Sequence, residues 1–556
     1  MARVIVRYHG SLREAMSEFA DSTVVELFHQ YAIVTLPEQA LSDLAALPEV
    51  EYIEPPETLF FGLQNGRSIS CVNQVQAEPG QGGMAGMPDS RSENLSGAGV
   101  LVAVLDSGID YAHPSFRNED GSTRIRYLWD QTVPADRAQG RMPAGYDVGA
   151  EYTAADIDEA LAAPIGERSR IVPTTDSRTG HGTAVAGIAA GNGRGSTAMR
   201  YRGIAIGSEL LIVKLGNSGD GFSRTTEVMM GLDYVLRKAL ELQMPVSINM
   251  SFGNNYGPHN GESLFENFIT ELNGVWKNVI VIATGNEGDK RHHAAADLRQ
   301  WQTEEIQFAV AEGELGFTVQ IWKQYVDQIQ ISVVSPSGRR YRVPDVPGES
   351  SDGTVQLYYG EPSPYRLIQE IYIRFRPGYN GFVESGVWTI VMEPVVIRDG
   401  RVELWMSGSE VVGSSTGFIR PAIETTMPIP STTYKVISVG AYDAATNAVA
   451  PFSGRGRTAD GRLGIDLVAP GVDIQCPAPG GGYTFHTGTS MAAPFVAGSA
   501  ALMMEWGIVR GNDPYLYGEK VKAYLINGAR RLPGQLQLPD ITAGWGALCL
   551  KDSLPL

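Results

Sequence analysis

Val100-Leu101-Val102-Ala103-Val104-Leu105-Asp106-Ser107-Gly108 is an unbroken apolar run that ends in a carboxylate. With no polar residue before Asp106, both faces of the segment must be covered, which is the pattern of a strand buried in a parallel sheet. A carboxylate at the C-terminal end of such a strand lies where open α/β sheets place their sites. Asp110 is a second candidate carboxylate and ranks lower, because it lies beyond the strand end. Taken alone, Asp-Ser-Gly also reads as a simple turn.

Strands and helices alternate downstream of this run. Leu210 to Leu215 reads as a strand, Ser223 to Leu242 as an amphipathic helix, and Val246 to Ser251 as a strand running into Phe252-Gly253. Ser263 to Trp276 reads as a helix and Val279 to Ala283 as a buried strand that stops at Thr284-Gly285-Asn286-Glu287-Gly288. This order predicts an α/β fold with a doubly wound parallel sheet. From about residue 300 to 416 the period changes to two. Segments such as Phe317-Thr318-Val319-Gln320-Ile321, Ile329-Gln330-Ile331-Ser332-Val333 and Ile371-Tyr372-Ile373-Arg374-Phe375 alternate apolar with polar, as in an all-β sandwich inserted into the α/β domain. The first pattern resumes at Tyr434 to Val439 and Ile465 to Ala469, and Lys520 to Leu532 reads as a closing helix. Residues 2 to 55 form a separate unit whose β-α-β-β-α-β order is ferredoxin-like.

A chain of 556 residues is expected to divide into two or three domains. Its net charge of −18 argues against a nucleic-acid or anionic-membrane partner. Cys71, Cys476 and Cys549 are odd in number and far apart, so neither a disulfide framework nor a Cys/His metal site is expected. Charges in Met1-Ala2-Arg3-Val4-Ile5-Val6-Arg7 break any signal-peptide core, and no run of about eighteen apolar residues predicts a membrane span. These features predict a chain made in the cytoplasm without a signal peptide.

Two further stretches carry chemistry. In Gly488-Thr489-Ser490-Met491-Ala492-Ala493-Pro494, small residues lead a serine into an apolar helix, where free N–H groups and the helix dipole favour an anion beside the hydroxyl. A buried helix with an ordinary cap fits the same residues. Gly180-His181-Gly182-Thr183 opens a small-residue helix that can pack closely on a sheet and leave the imidazole open, as a general base requires. Asn286, at a strand end, offers a side-chain amide to a developing oxyanion.

Asp106, His181, Asn286 and Ser490 follow one of the known chain orders for a base-activated serine with an oxyanion donor. With Asp106-Ser107-Gly108, His181-Gly182-Thr183, Gly285-Asn286 and Gly488-Thr489-Ser490-Met491-Ala492-Ala493-Pro494, the chain resembles the subtilisin family of serine proteases. The layout is most like the Csp germination proteases of spore-forming clostridia. The resemblance implies a propeptide over residues 1–64, a subtilisin-like catalytic domain over 65–299 and 417–556, and a jelly roll inserted at 300–416. It implies Ser490 as nucleophile, His181 as base, Asp106 as its orienting acid, and an oxyanion site of Asn286 and the Ser490 N–H with help from Thr489. Gly219, Ser251, Phe252 and Gly253 resemble the substrate-strand edges, and Ala283, Thr284 and Gly285 one wall of the pocket for the residue before the cut.

The resemblance further implies an endopeptidase that needs no cofactor, cleaves itself between Gln64 and Asn65, keeps the cut propeptide bound, and acts on the precursor of a spore cortex-lytic enzyme. The family's calcium-binding aspartate after His113-Pro114 is replaced by Ser115, so no metal site is expected there. A general protease of an anaerobic commensal and an inactive scaffold are the competing roles. The second is disfavoured because all three triad residues are present.

Overall fold

The computed structural model describes residues 1–17, 19–56, 58–61, 70–76, 94–135, 140–216, 223–344, 346–361, 364 and 367–555. Leu101–Asp106 is a central strand of a parallel sheet, with Val246–Met250, Asn278–Ala283 and Ile437–Asp443 following on one side and Glu209–Lys214 and Ile125–Asp130 on the other. Short antiparallel strands, Ala448–Val449 and Ala150–Thr153, close the edges.

The apolar run is covered on both faces, as its composition requires. Val102 and Val104 share a core with the helices His181–Ala190 and Thr489–Met504. Leu101, Ala103 and Leu105 share another with Thr225–Leu242 and Leu264–Leu272. The helix expected from Ser223 starts at Thr225, because Ser223–Arg224 pairs instead with residues 58–59 as a strand. The helix expected from Ser263 uses that serine as its cap: the hydroxyl accepts the Glu266 N–H and the Glu266 carboxylate reaches back. It ends at Leu272, and the closing helix is Glu519–Asn527.

The N-terminal module is a four-stranded antiparallel sheet in the order Thr23–Glu26, Tyr31–Leu36, Ala2–Tyr8, Val50–Glu54, with short helices at Leu12–Ala15 and Leu41–Ala45. Its strands obey the period of two. Val4, Val6, Val34 and Leu36 pack with Leu12 and Leu44 of its own helices, while Ile5, Val25, Tyr31 and Ile33 join the core of the catalytic-side helices. Tyr31 meets Phe268 edge-on at 5.1 Å. Ion pairs flank this contact, Arg3–Asp147 at 3.1 Å and Arg7–Glu271 at 3.2 Å. Partly exposed pairs contribute about 0–1 kcal/mol each, against about 1.5–3 kcal/mol for each buried aliphatic or aromatic side chain, so apolar burial holds the module in place.

Between the Asn278–Ala283 and Ile437–Asp443 strands the chain leaves the α/β domain to form two antiparallel sheets, of six and five strands, around one apolar core. Their outermost strands include His293–Asp297 and Gly417–Phe418, which extend past the 300–416 read from alternation. The Ala-rich His293–Asp297 segment carries no alternation by which to recognise it.

One helix meets the compositional test for a membrane span, and the expectation for the cysteines is corrected. Thr489–Val509 is long and apolar enough to cross a membrane by composition, but 83% of its most apolar window is buried inside the protein as a core helix. Cys71 and Cys549, 478 residues apart, form a disulfide with Cα atoms 4.9 Å apart. Cysteine spacing carries no trace of this pairing, because only the fold brings the Leu550 N–H onto the Ser70 carbonyl (3.1 Å) and sets the two cysteines side by side. Cys476 is buried and free, and burial pushes its thiol up to about 12. Alkylation is therefore expected to spare all three cysteines in the folded chain and to modify Cys476 alone in denaturant without reductant, as read by intact mass; modification of Cys71 or Cys549 there would disprove the bridge. Reduction is expected to lower stability by about 2–4 kcal/mol in denaturant titration.

Candidate active site

Three adjacent strand ends create the site. Met250 lies opposite Leu105 and Ile282 opposite Met250, so Asp106, Ser251 and Ala283 leave the sheet side by side at its C-terminal edge. The His181 and Ser490 helices both begin at that edge. His181 comes close because its neighbour is glycine: a Cβ on Gly182 would sit 2.0 Å from the Gly108 carbonyl oxygen. Gly180, at φ +70°, makes the turn into the helix.

His181 Nδ1 lies 2.5 Å from Asp106 Oδ1, and both side chains are only 1% exposed. The carboxylate also accepts the Ser107 N–H at 2.7 Å. Behind this pair stands Asp176, which the sequence reading passed over. Its carboxylate accepts the Ser107 hydroxyl (2.7 Å) and the Thr183 N–H (2.7 Å), so one residue ties the strand end to the first turn of the His181 helix. Asp110, the lower-ranked carboxylate, is held in loop contacts. It accepts the Ala112 N–H (3.0 Å) and the Gly480 N–H (2.9 Å) and has no bond to His181 among the described residues.

Ser490 is the second residue of its helix and is buried. It exchanges hydrogen bonds with Ser251 in both directions. The Ser490 hydroxyl donates to the Ser251 carbonyl (3.0 Å), and the Ser251 hydroxyl donates to the Ser490 carbonyl (2.9 Å). The second bond depends on Pro494. Proline has no N–H, so the carbonyl four residues earlier, that of Ser490, has no partner inside the helix and is open to Ser251. Asn249 in turn donates to the Ser251 hydroxyl (2.8 Å).

Asn286 Oδ1 accepts the Thr489 N–H (3.0 Å) and the Thr489 hydroxyl (3.2 Å). This fixes the amide with its NH2 as the remaining donor, beside Ser490 in the same pocket. Thr489 therefore stands behind the amide and orients it, instead of adding a donor of its own to an oxyanion. The pocket is lined by Ser251, Phe252, Gly253, Ala283 and Gly285. Thr284 is not part of that wall. It is fully buried, with its N–H on the Val439 carbonyl (3.0 Å), because alternate residues of a strand end point to opposite faces.

Residues Thr58–Phe61, which follow the N-terminal module, form the middle strand of a three-stranded sheet between Ser223–Arg224 and Phe252–Gly253. Phe61 lies opposite Phe252 and Phe60 opposite Gly253, antiparallel. The chain's own segment thus lies along the pocket that holds Ser490. Gly219, Gln64 and Asn65 lie outside the described residues. Ser115 bonds to the Tyr483 hydroxyl at 2.9 Å, and the adjoining His113 Nε2 donates to the Gly482 carbonyl at 3.0 Å.

Residues 97–313 and 412–546 match the model of the subtilase family, and residues 2–57 match that of the Csp protease B prodomain. The chain is 34% identical to the CspB protease of Clostridium perfringens in its solved structure, with a TM-score of 0.73 over 83% of this chain and 93% of that one. It is 34% identical to the serine protease AprX of Bacillus subtilis over 28% of this chain and 37% of AprX. The minor extracellular protease Vpr of Bacillus subtilis is 23% identical over 89% of this chain and 56% of Vpr. Matches to the curated relatives thus span about half of their length or less. Since the family match covers most of the sequence and is interrupted only by the inserted sheets, this chain belongs to the subtilase family of peptidases, with a Csp-type prodomain at its N-terminal end.

Proposed function

We propose that the chain is a self-processing serine endopeptidase whose nucleophile is Ser490, with His181 as general base and Asp106 as its orienting acid. The observation that carries this reading is the strand Thr58–Phe61. A peptide added edge-on between Ser223–Arg224 and Phe252–Gly253 is the way an extended substrate is held, and that edge shares a pocket with Ser490, whose helix packs on the helix that His181 opens, His181 being bonded to buried Asp106. In the reaction the Ser490 hydroxyl turns from the Ser251 carbonyl to His181 Nε2, gives up its proton and attacks the peptide carbonyl. Asp106 on Nδ1 keeps Nε2 as the acceptor and stabilises the imidazolium that forms. The imidazolium then protonates the leaving amine, and water repeats the cycle on the acyl-enzyme. The Asn286 amide and the Ser490 N–H, at the positive end of its helix, bind the oxyanion.

Self-cleavage falls between Gln64 and Asn65 in this reading, and the cut propeptide stays bound through the apolar contacts of Ile5, Val25, Tyr31 and Ile33. The inserted sheets are read as the jelly roll of the Csp proteases. By the same likeness the target is the precursor of a cortex-lytic enzyme, and the protein is associated with the spore.

The full chain is expected to run as two fragments when wild type and as one when Ser490→Ala; clipping of both would overturn self-processing. A fluorophosphonate is expected to label Ser490, and a protein that stays unlabelled would be a scaffold. Asn286→Ala is expected to lower kcat by 10²- to 10³-fold, about 3–4 kcal/mol, the range found when the equivalent amide is removed from subtilisin itself, with KM little changed. Cleavage of a cortex-lytic precursor is expected to exceed that of unrelated proteins at equal concentration, and equal rates would favour a general protease.

A further inference from the structure

The pocket beside Ser490 is closed by the insert as well as by the catalytic fold. Gly408 and Glu410, on the loop by which the chain returns from Arg401–Met406 of the six-stranded sheet to Gly417–Phe418 of the five-stranded one, line it together with Asn254, Asn255, Glu287 and Pro428. The return loop is fixed in place. Ser409 donates to Glu287 Oε1 through its N–H (3.2 Å) and its hydroxyl (2.6 Å), Asn255 donates to the Met406 carbonyl (3.1 Å), and Tyr256 bonds to the Ser407 hydroxyl (2.7 Å). Glu287, the residue after Asn286, is held on its other oxygen by His292 Nδ1. A Cβ on Gly408 would lie 2.6 Å from Glu410 Oε2, 3.6 Å from Glu287 Oε1 and 3.8 Å from Asn255 Nδ2, so two carboxylates and an amide converge there.

The two carboxylates differ in how they are satisfied. Glu287 is fully bonded, and the hydrogen bonds of His292 and Ser409 outweigh its burial and hold it below the usual carboxylate range. Glu410 has no hydrogen bond to another described residue. Although the residue as a whole is exposed, desolvation of its carboxyl, and next the charge on Glu287, push it up to about 7. A pocket-lining carboxylate with no partner among the described residues can exchange its water for a donor on the substrate, as hydrogen bonds to charged groups are among the stronger ones.

We infer that Glu410, carried by the insert, sets the specificity of this pocket by accepting a hydrogen bond from the side chain of the residue before the cut, which ends in N–H donors. A glutamine amide and a lysine or arginine cation share this chemistry, and an aliphatic side chain lacks it. The inference rests on the protease reading above and assigns the insert a part in substrate choice. Glu410 is a specificity residue and takes no part in moving protons.

The test uses the full chain and peptidyl phosphonates that differ only in carrying Gln, Lys or Leu beside phosphorus, with labelling of Ser490 followed by mass and a small fluorophosphonate run in parallel. In the wild type the Gln or Lys probe is expected to label at least about tenfold faster than the Leu probe, the scale of one hydrogen bond to a polar or charged partner. Glu410→Leu is expected to bring that ratio to about one or below. Glu410→Gln separates the two donors: a preference for Gln that survives within a few-fold identifies the amide, and selective loss of the Lys probe identifies the cation. Preference for Leu in the wild type, or an equal loss for all probes in Glu410→Leu, would overturn the assignment. Failure of the small probe would instead overturn the protease reading on which it rests.

Discussion

Backbone meets backbone where the Asp106 strand passes under the His181 helix. A side chain on Gly182 would collide with the Gly108 carbonyl, and one on Gly180 would collide with Pro479 (2.3 Å). Only this close approach lets a strand-end carboxylate and a helix-start imidazole share a hydrogen bond while both are sealed from water. Burial matters to the chemistry, since an ionic contact that is nearly lost in bulk water is several times stronger where water is excluded. The Ser490 helix, packed on the same side of the sheet and buried along its whole length, completes the arrangement from the other end of the chain.

The elements that hold the site were legible in the sequence because each obeyed one local rule. Unbroken apolar runs marked the central strands, glycines around a histidine marked a helix that packs tightly, and Gly-Thr-Ser before an apolar stretch marked a buried helix with an open N-terminus. Strand alternation exposed the insert and the N-terminal module for the same reason. What stayed hidden was set by partners distant in sequence. Nothing near Asp176 announces that it bridges Ser107 and Thr183, and nothing in Thr489 says that its hydroxyl is taken by Asn286. Thr284 was misplaced because it adjoins two pocket residues, yet the period of the strand turns it inward. Cys71 and Cys549 lie at opposite ends of the chain and meet only in the folded molecule.

The insert is joined to the catalytic domain through more than its two chain crossings. Trp405 stacks between His259 and His293, with ring centroids 4.0 and 4.8 Å away, and donates its indole N–H to the Thr425 carbonyl. Glu287, which follows Asn286 in the chain, holds the return loop through Ser409. A module that could have been a passive addition is therefore in direct contact with residues that line the pocket beside Ser490.

The mutual exchange between Ser490 and Ser251 makes the Ser490 hydroxyl and the adjoining strand edge one piece. Ser251 immediately precedes Phe252–Gly253, the edge along which residues 60–61 lie. The Phe252–Gly253 edge and the Ser490 hydroxyl are thus referenced to the same residue, with no long lever between them. Proline at position 494 is what permits this coupling, by withholding from the helix the one hydrogen bond that would otherwise have occupied the serine carbonyl.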